Sequence, residues 1–280
     1  MKSKYLTHIV NLALKEDIGQ GDITTNNLFT DQDMAQAHLV YKSRGIVCGL
    51  DVAQCVFKTM SPKIHVKRLV KEGARVKKGT VVAVIKGPAK RMLTAERVAI
   101  NFLTHLSAIA THTKAFVDQI KPYRSKIYDT RKTTPLLREL ERYAVRTGGG
   151  YNHRFDLSTM AMIKDNHRAM FGNIGLKKAV EMIKSKTKRK VVLEIDTLKE
   201  LKEALSTSAE IILLDNMTPS QIRKAVVLRD KLKSKALLEA SGGINLKTVR
   251  SYARTGVERI SVGSLTSIKQ AIDISLDFVL

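Results

Sequence analysis

The sequence has no tryptophan, and aromatic side chains make up only 5% of its 280 residues. A core built without them rests on Leu, Ile, Val, Ala and Met, the residues of parallel strands buried between helices. Cysteine is scarcer still. The two present, Cys48 and Cys55, exclude the disulfide framework of a small secreted domain. Both lie in an apolar stretch and read as buried free thiols in a reducing compartment. No uninterrupted apolar run reaches the roughly 18 residues of a membrane helix. The opening stretch MKSKYLTHIVNLALKEDIG carries its acids after its apolar part and lacks a small-residue cleavage site. It reads as an amphipathic helix ending near Gly19 rather than a signal peptide, and a cytoplasmic location is expected.

Acids are also few. Against 26 Asp and Glu stand 49 Lys and Arg, giving a net charge of +23 and a pI near 10.0. Such an excess raises the local concentration of anions, whether nucleic acid or a phosphorylated or polycarboxylate small molecule. Many of the lysines fall on expected helix faces, in 177–190 and 229–235, and read as a solvated basic surface. No aromatics alternate with them as stacking platforms for bases require. The expected partners are therefore small anions, with no nucleic acid and no membrane. A basic nucleic-acid-binding protein is the contrasting reading; it predicts affinity that falls steeply with salt.

The length suits one α/β barrel and a smaller domain. Residues 36–70 alternate strand-like pieces with a helix near 50–60. In 72–87 short strands are punctuated by Gly73, Gly79 and Gly87, as in a small β-sandwich. A long helix then follows, with Val98, Phe102, Leu106, Ile109, Phe116 and Ile120 at helical spacing and Thr94 as N-cap. Its other face carries Arg97, Asn101, His105 and His112, the histidines reading as polar helix-face residues. Beyond it, strands are expected at 125–129, 159–164, 190–195, 210–214, 236–240 and 258–262. Helices are expected at 173–187, 197–207, 218–231 and 245–254. Repeated strand–helix units imply parallel strands with helices outside, in a barrel-like or doubly wound sheet. The stretch 131–158 is irregular.

Each expected strand delivers polar or glycine chemistry at its C-terminal end. In order these are Asp129-Thr130-Arg131-Lys132, Lys164-Asp165-Asn166-His167, Glu194-Ile195-Asp196, Asp215-Asn216, Ser241-Gly242-Gly243 and Gly263-Ser264. In a βα barrel those ends share the face where catalytic groups collect. Arg131, Lys132, Arg154 and Lys164, with Arg97 and His153, supply cations that grip carboxylate or phosphate. Glu194 and Asp215 suit Mg²⁺, water or sugar hydroxyls. The Ser241–Gly243 and Val262–Ser264 turns, each ahead of a helix, suit a phosphate held by backbone N–H groups. A phosphorylated sugar meeting an acidic co-substrate fits this set. Blander roles remain open for several of these residues. Asp129 could orient Arg131, Asp165 and Asp196 could pair with nearby bases, and Gly148–Gly150 could be a mobile loop or a close approach to ligand. The histidines and cysteines show no metal-ligand spacing, and no phosphate-loop or dinucleotide fingerprint occurs.

Seven stretches together carry a family resemblance: EDIGQGDITT (16–25), TAERVAINFLTHLSAIAT (94–111), DTRKTTPLLRELERYAVRTGGGYNHRFDL (129–157), IKDNH (163–167), ILLDNM (212–217), EASGGI (239–244) and ISVGSLT (260–266). They resemble, in order and over nearly the whole chain, the quinolinate phosphoribosyltransferases. The resemblance implies an α/β fold, with an N-terminal α/β sandwich over 1–110 that includes the start of the linking helix. An open seven-stranded α/β barrel over 111–280 would follow, one strand hidden in 131–158 and the last helix packing back on the first domain. It implies transfer of phosphoribosyl from 5-phosphoribosyl 1-pyrophosphate to quinolinate, with loss of CO₂ and pyrophosphate. The product is nicotinate mononucleotide, made on the way to NAD. Arg131, Lys132, His153, Arg154 and Lys164 would surround quinolinate and Thr130 would also bind substrate, with Lys132, Lys164, Glu194 and Asp215 as the catalytic set. Glu194 and Asp215 would face the ribose and, directly or not, Mg²⁺. Ser241, Gly242, Gly243, Val262, Gly263 and Ser264 would hold the 5-phosphate. Arg97 would reach a neighbouring chain's site in a homodimer with shared sites, or in a higher oligomer. Another acidic substrate on the same fold is the alternative. Two departures stand out: Thr147 where the family often has Cys, and Val192 where it often has a second acid.

Overall fold

A computed structural model describes residues 3–171, 174–267 and 272–279. The chain divides into two compact units. One comprises residues 1–114, 134–149 and 268–280, the other 115–133 and 150–267. This division cuts across a simple break at residue 110, because one middle segment and the tail belong with the N-terminal part.

The first unit opens with helices α1 (Ser3–Ile18) and α2 (Ile23–Leu28). Strands β1 (Met34–Tyr41) and β2 (Gly45–Ile46), helix α3 (Leu50–Met60) and strands β3 (His65–Arg68), β4 (Arg75–Val76) and β5 (Thr80–Pro88) follow. Helix α4 (Ala89–Ile120) then runs on into the second unit. α3 buries Leu50, Val52, Ala53, Val56 and Phe57 along one face. No side chain of its own caps it; the Glu72 carboxylate accepts from the backbone N–H groups of Gly49 and, at 2.6 Å, Leu50. α4 begins five residues before the expected Thr94 cap. The residues from Ala89 onward are good helix formers, and Thr94 sits inside the helix with its hydroxyl 3.0 Å from Lys90 O. Cys48 is buried as expected, but Cys55 is only half-buried on α3.

The second unit supplies β6 (Lys126–Tyr128), after which α5 (Arg138–Thr147) returns to the first unit. Next come β7 (Ala161–Ile163), α6 (Asp165–Phe171), α7 (Leu176–Lys186), β8 (Val191–Ile195), α8 (Leu198–Leu205), β9 (Ile211–Asp215) and α9 (Pro219–Lys231). β10 (Leu237–Ser241), α10 (Val249–Ala253) and β11 (Arg259–Ser261) complete it. Its six strands form a parallel sheet in the order β6-β11-β10-β9-β8-β7. Short turns follow β8 and β9 because caps start the next helices promptly. α9 begins with Pro219 at its head, and a reciprocal Thr218–Gln221 box holds its first turn.

The seventh strand is absent among the described residues. The stretch expected to hide it contains α5 and, at Tyr151, a one-residue parallel bridge to Tyr128. Tyr151 N–H donates to Ile127 O and Asp129 N–H to Tyr151 O. Pairing stops there because Asp129 Oδ1 captures the next backbone donor, His153 N–H, at 2.6 Å. The last described element is a strand rather than a helix. β12 (Ile274–Val279) alternates buried and exposed positions and pairs antiparallel with β1 at the edge of the sheet β12-β1-β5-β3. The glycine triplet is neither mobile loop nor ligand contact at its first member: a Cβ on Gly148 would lie 2.4 Å from Ala110 O, so Gly148 lets α5 pack against α4. Val192 lies in an apolar cluster with Ile211, Leu213, Met160 and Met162, where an acid would be buried without a partner.

Candidate active site

The C-terminal ends of the six parallel strands surround a cavity of about 920 Å³. Its lining alternates along four of the strands: Met162 and Lys164, Leu213 and Asp215, Glu239 and Ser241, Ser261 and Gly263. Side chains two apart share one face of a strand. The register of the parallel sheet then carries that face from strand to strand, so six separate strand ends become one wall.

Cations form one side of it. Thr130, Arg131 and Lys132 follow β6, and the Lys132 main chain is pinned at both ends. Its N–H donates to Thr130 Oγ1 at 3.1 Å and its carbonyl accepts from Thr266 Oγ1 at 2.5 Å. Arg154 is buried, with Nη1 donating to Met160 O at 2.9 Å. Burial, and then the field of Arg131, push its pKa down. Arg131 Nε is itself buried with no hydrogen-bond partner among the described residues. Mutually repelling guanidinium groups, one with an unused buried donor, fit an anion that offers several oxygens.

Acids form the other side. Glu194 is almost fully buried at the end of β8, with Lys164 Nζ 3.7 Å from Oε2. Burial pushes its carboxyl pKa up, Lys164 opposes this, and the neighbouring charge of Asp215 adds to it. Asp215 ends β9, and its Oδ2 accepts from the Asn216 side-chain amide at 2.7 Å. No group of three or more His, Cys, Asp and Glu gathers among the described residues to cage a metal. Two carboxylates that feel each other's charge suit a Mg²⁺ ion that completes its coordination with water and substrate phosphate.

Glycines bound the third side. Gly242, at φ +92°, packs so closely that a Cβ would lie 2.2 Å from Asn216 Oδ1 and 2.7 Å from Asn216 N. Gly243, at φ +61°, has open space where a Cβ would stand, and Gly263 faces the Lys132 side chain. Models of the quinolinate phosphoribosyl transferase N-terminal and C-terminal domains match residues 22–107 and 109–277.

The chain belongs to the quinolinate phosphoribosyltransferase family.

Its relatives include the probable nicotinate-nucleotide pyrophosphorylase (carboxylating) of Bacillus subtilis. That protein is 40% identical over 282 residues, spanning 100% of this chain and 96% of the relative. The Mycobacterium leprae nicotinate-nucleotide pyrophosphorylase (carboxylating) is 39% identical over 272 residues, spanning 96% of this chain and 95% of its own. The solved nicotinate-nucleotide pyrophosphorylase of Francisella tularensis superposes with a TM-score of 0.92 at 36% identity, covering 100% of this chain and 98% of that one.

Of the residues that family likeness nominated, Thr130, Arg131, Lys132, His153, Arg154, Lys164, Glu194, Asp215, Ser241, Gly242, Gly243, Gly263 and Ser264 line the cavity. Two do not. Arg97 is exposed on α4 in the first unit. Val262 is buried, and its N–H donates to Tyr128 O at 3.0 Å, so it has no donor left for a phosphate. The helices expected behind the two glycine turns are also short: α10 starts only at Val249, and Gly263–Leu265 is a single 3₁₀ turn. Asp129 holds the following loop through His153 N–H and the Asn152 amide.

Sequence reading passed over Glu239, although it lines the floor of the cavity. Its carboxylate is fully buried and accepts from Arg259 Nε at 2.5 Å and from Ser261 Oγ, with His153 Nε2 at 3.3 Å. Burial alone would raise its pKa; His153, Arg259 and Ser261 outweigh that and hold it at about 2. The Arg259 guanidinium lies 3.6 Å over the Tyr128 ring. The signal that could have found Glu239 is the two-residue step back along β10 from Ser241.

Proposed function

We propose that this chain transfers the phosphoribosyl group of 5-phosphoribosyl 1-pyrophosphate to quinolinate, releasing pyrophosphate and CO₂ and leaving nicotinate mononucleotide. One observation carries the reading: a single cavity brings Arg131, Lys132, Arg154 and Lys164 together with Glu194, Asp215 and two glycine turns. A planar dicarboxylate matches the cations, and a phosphorylated ribose matches the acids and the turns.

The chemistry needs position and charge more than a nucleophile. Arg131 and Arg154 grip the acceptor's carboxylates and aim its ring nitrogen. Glu194 and Asp215 face the ribose hydroxyls, and the negative field of these two acids favours positive charge at C1 as its bond to pyrophosphate breaks. Lys132 and Lys164 balance the charge that accumulates on the leaving group. Mg²⁺ held at Glu194 and Asp215, with its remaining ligands from substrate and water, would screen that same charge. Once the nitrogen is quaternised, the ring accepts the electron pair left when the carbon–carbon bond to CO₂ breaks. Water then returns a proton to that carbon.

The working unit is a homodimer in a reducing, cytoplasmic setting. The exposed Arg97 guanidinium, outside its own chain's cavity lining, supports a partner-facing role. Two unpaired thiols support the setting. The test is an incubation with quinolinate, phosphoribosyl pyrophosphate and Mg²⁺. Nicotinate mononucleotide and CO₂ should appear in equal amounts. Turnover of nicotinate without CO₂ would assign the alternative acidic substrate. Lys132→Ala and Arg154→Ala should each lower turnover by about two orders of magnitude or more with the thermal midpoint preserved, as expected for lost electrostatic stabilisation. Near-normal rates in either variant would sink the assignment.

A further inference from the structure

A carboxylate at the floor of an anion-binding cavity calls for explanation, because its field opposes the ligand. Glu239 lies one strand step below Ser241, with no solvent exposure. Its charge is met within the sheet by Arg259 and Ser261 of the neighbouring strand. A salt bridge serving only to fill the barrel would end there. This one continues upward, because Glu239 Oε1 also faces His153 Nε2 at 3.3 Å.

His153 is held from at least three directions. Its backbone N–H donates to Asp129 Oδ1 at 2.6 Å. Its ring Nδ1 accepts from the backbone N–H of Arg154 at 2.7 Å. Because a backbone amide always carries its hydrogen, Nδ1 must present a lone pair. The ring proton therefore resides on Nε2, the nitrogen that faces Glu239. In this arrangement the imidazole is a strut rather than one more cation around the ligand. It rests on Glu239 and supports the main chain of Arg154, whose guanidinium lines the cavity and is steadied by Met160 O.

We propose that Glu239 is a positioning residue for the acceptor substrate: anchored by Arg259 and Ser261, it fixes His153 in its Nε2–H form and thereby sets Arg154 for carboxylate binding. This rests on the proposed function for the identity of the acceptor. Among the charged and titratable groups, Glu239 of β10 faces the His153 ring, Arg259 of β11 holds that carboxylate, Asp129 after β6 takes the His153 backbone N–H, and the Arg154 N–H meets Nδ1. The connection predicts a separation between the two substrates. Disturbing Glu239 should weaken binding of the dicarboxylate and leave binding of the phosphoribosyl donor in place, because the Glu239 carboxylate contacts His153, Arg259 and Ser261 rather than Glu194, Asp215 or the backbone of the glycine turns.

Two experiments on the full-length protein decide the matter. With ¹⁵N-histidine labelling, the ring signals missing from His153→Gln identify His153. They should show a proton on Nε2 and a bare Nδ1 at neutral pH in the wild type. A proton on Nδ1 there overturns the proposal. In steady-state kinetics, Glu239→Gln should raise KM for quinolinate at least tenfold while KM for phosphoribosyl pyrophosphate stays within twofold. Should that variant fail to fold with Arg259 left unmatched, Ser261→Ala withdraws one support from the carboxylate without a charge change. It should raise the quinolinate KM several-fold and leave the donor KM unaltered. Equal changes in both KM values, or a lowered thermal midpoint with neither KM moved, reduce Glu239 to a structural ion pair. Failure of the wild type to turn over quinolinate refutes the substrate reading instead, and the nitrogen spectrum still decides the state of His153.

Discussion

Exchanging either glycine of the Gly242-Gly243 turn for alanine adds one methyl group, yet the two variants should behave differently. At Gly243 the backbone sits at φ +61°, inside the left-handed well, and the new Cβ meets nothing within 4 Å. The conformational penalty for an L-residue there is about 1–2 kcal/mol. Lower entropy of the unfolded chain offsets about 0.4–1 kcal/mol of it. Gly243→Ala should therefore lose only about 1 kcal/mol of stability, its main effect being a methyl group projecting into the donor's zone. At Gly242 the backbone lies at φ +92°, outside that well, and the Cβ would stand 2.2 Å from Asn216 Oδ1 and 2.7 Å from Asn216 N. That nitrogen donates to Ser241 O at 3.0 Å, so it cannot withdraw without breaking the turn. Overpacking adds about 1–3 kcal/mol to backbone strain of similar size, giving roughly 2–6 kcal/mol in total. Relief by rotating the Asn216 amide would release Asp215 Oδ2, which it holds at 2.7 Å. Urea denaturation and steady-state kinetics provide the assay. Gly243→Ala should mostly raise KM for phosphoribosyl pyrophosphate, whereas Gly242→Ala should lower the unfolding midpoint and kcat together. Asn216→Gly in the Gly242→Ala background should recover part of the lost stability. A wild-type unfolding midpoint for Gly242→Ala would refute the steric reasoning.

Three further outcomes are expected. Leu136 is exposed and sits at φ +66°, with its carbonyl accepting from Tyr5 Oη at 2.7 Å. Leu136→Gly should relieve strain and stabilise by about 0.5–1 kcal/mol, raising the thermal midpoint by about 2–4 °C, while Leu136→Ala should not; equal midpoints for the two variants would dismiss the strain. Glu239 has a folded-state pKa depressed from 4.5 to about 2, so the native state binds fewer protons than the unfolded chain between those values. Its stabilising contribution is present above pH 4.5 and is lost as pH falls towards 2; a Glu239→Gln protein with an unaltered slope of stability against pH in that window would exclude this contribution. Native protein should react quickly with a thiol reagent at the half-buried Cys55 and not at Cys48, which is buried and has its thiol pKa pushed up first by that burial. Two fast thiols per chain before denaturant is added would contradict the packing.

The strand ends were legible because polar residues there interrupt apolar runs, and six such interruptions at repeating intervals have no simple solubility explanation. Glu239 was not, because its meaning lies in Arg259 on the adjacent strand, and only the sheet register places the two side by side. Asn216 escaped for a related reason: its left-handed backbone and its contact with Gly242 are properties of a turn meeting a second turn. α5 was hidden by its own chemistry. Leu140, Ala144 and Val145 are its buried apolar residues, and a buried Glu141, which accepts from His105 and from Thr134 N–H, takes the place where a core side chain would have signalled a helix. The end strand was missed in favour of a helix, although Ile274 and Leu276 alternate with polar neighbours, a pattern of period two that a helix does not produce. Val262 shows the limit of family likeness. The likeness placed it correctly in a turn beside the cavity, but the fate of its single N–H depended on which carbonyl came within reach.

The pairing of β12 with β1 also bears on how the protein is made. β1 is synthesised more than 200 residues ahead of β12, so one of its edges has no partner until residues 274–279 emerge. During synthesis that edge is a bare row of backbone donors and acceptors, open to pairing with any passing strand. The parallel sheet of the second unit, finished by residue 261, has no such wait. Nascent chains should therefore carry an ordered barrel alongside an unsealed sheet. Deleting β12 should favour aggregation through β1 while sparing the cavity, so yield of soluble protein and activity per folded molecule should respond separately to changes in that strand.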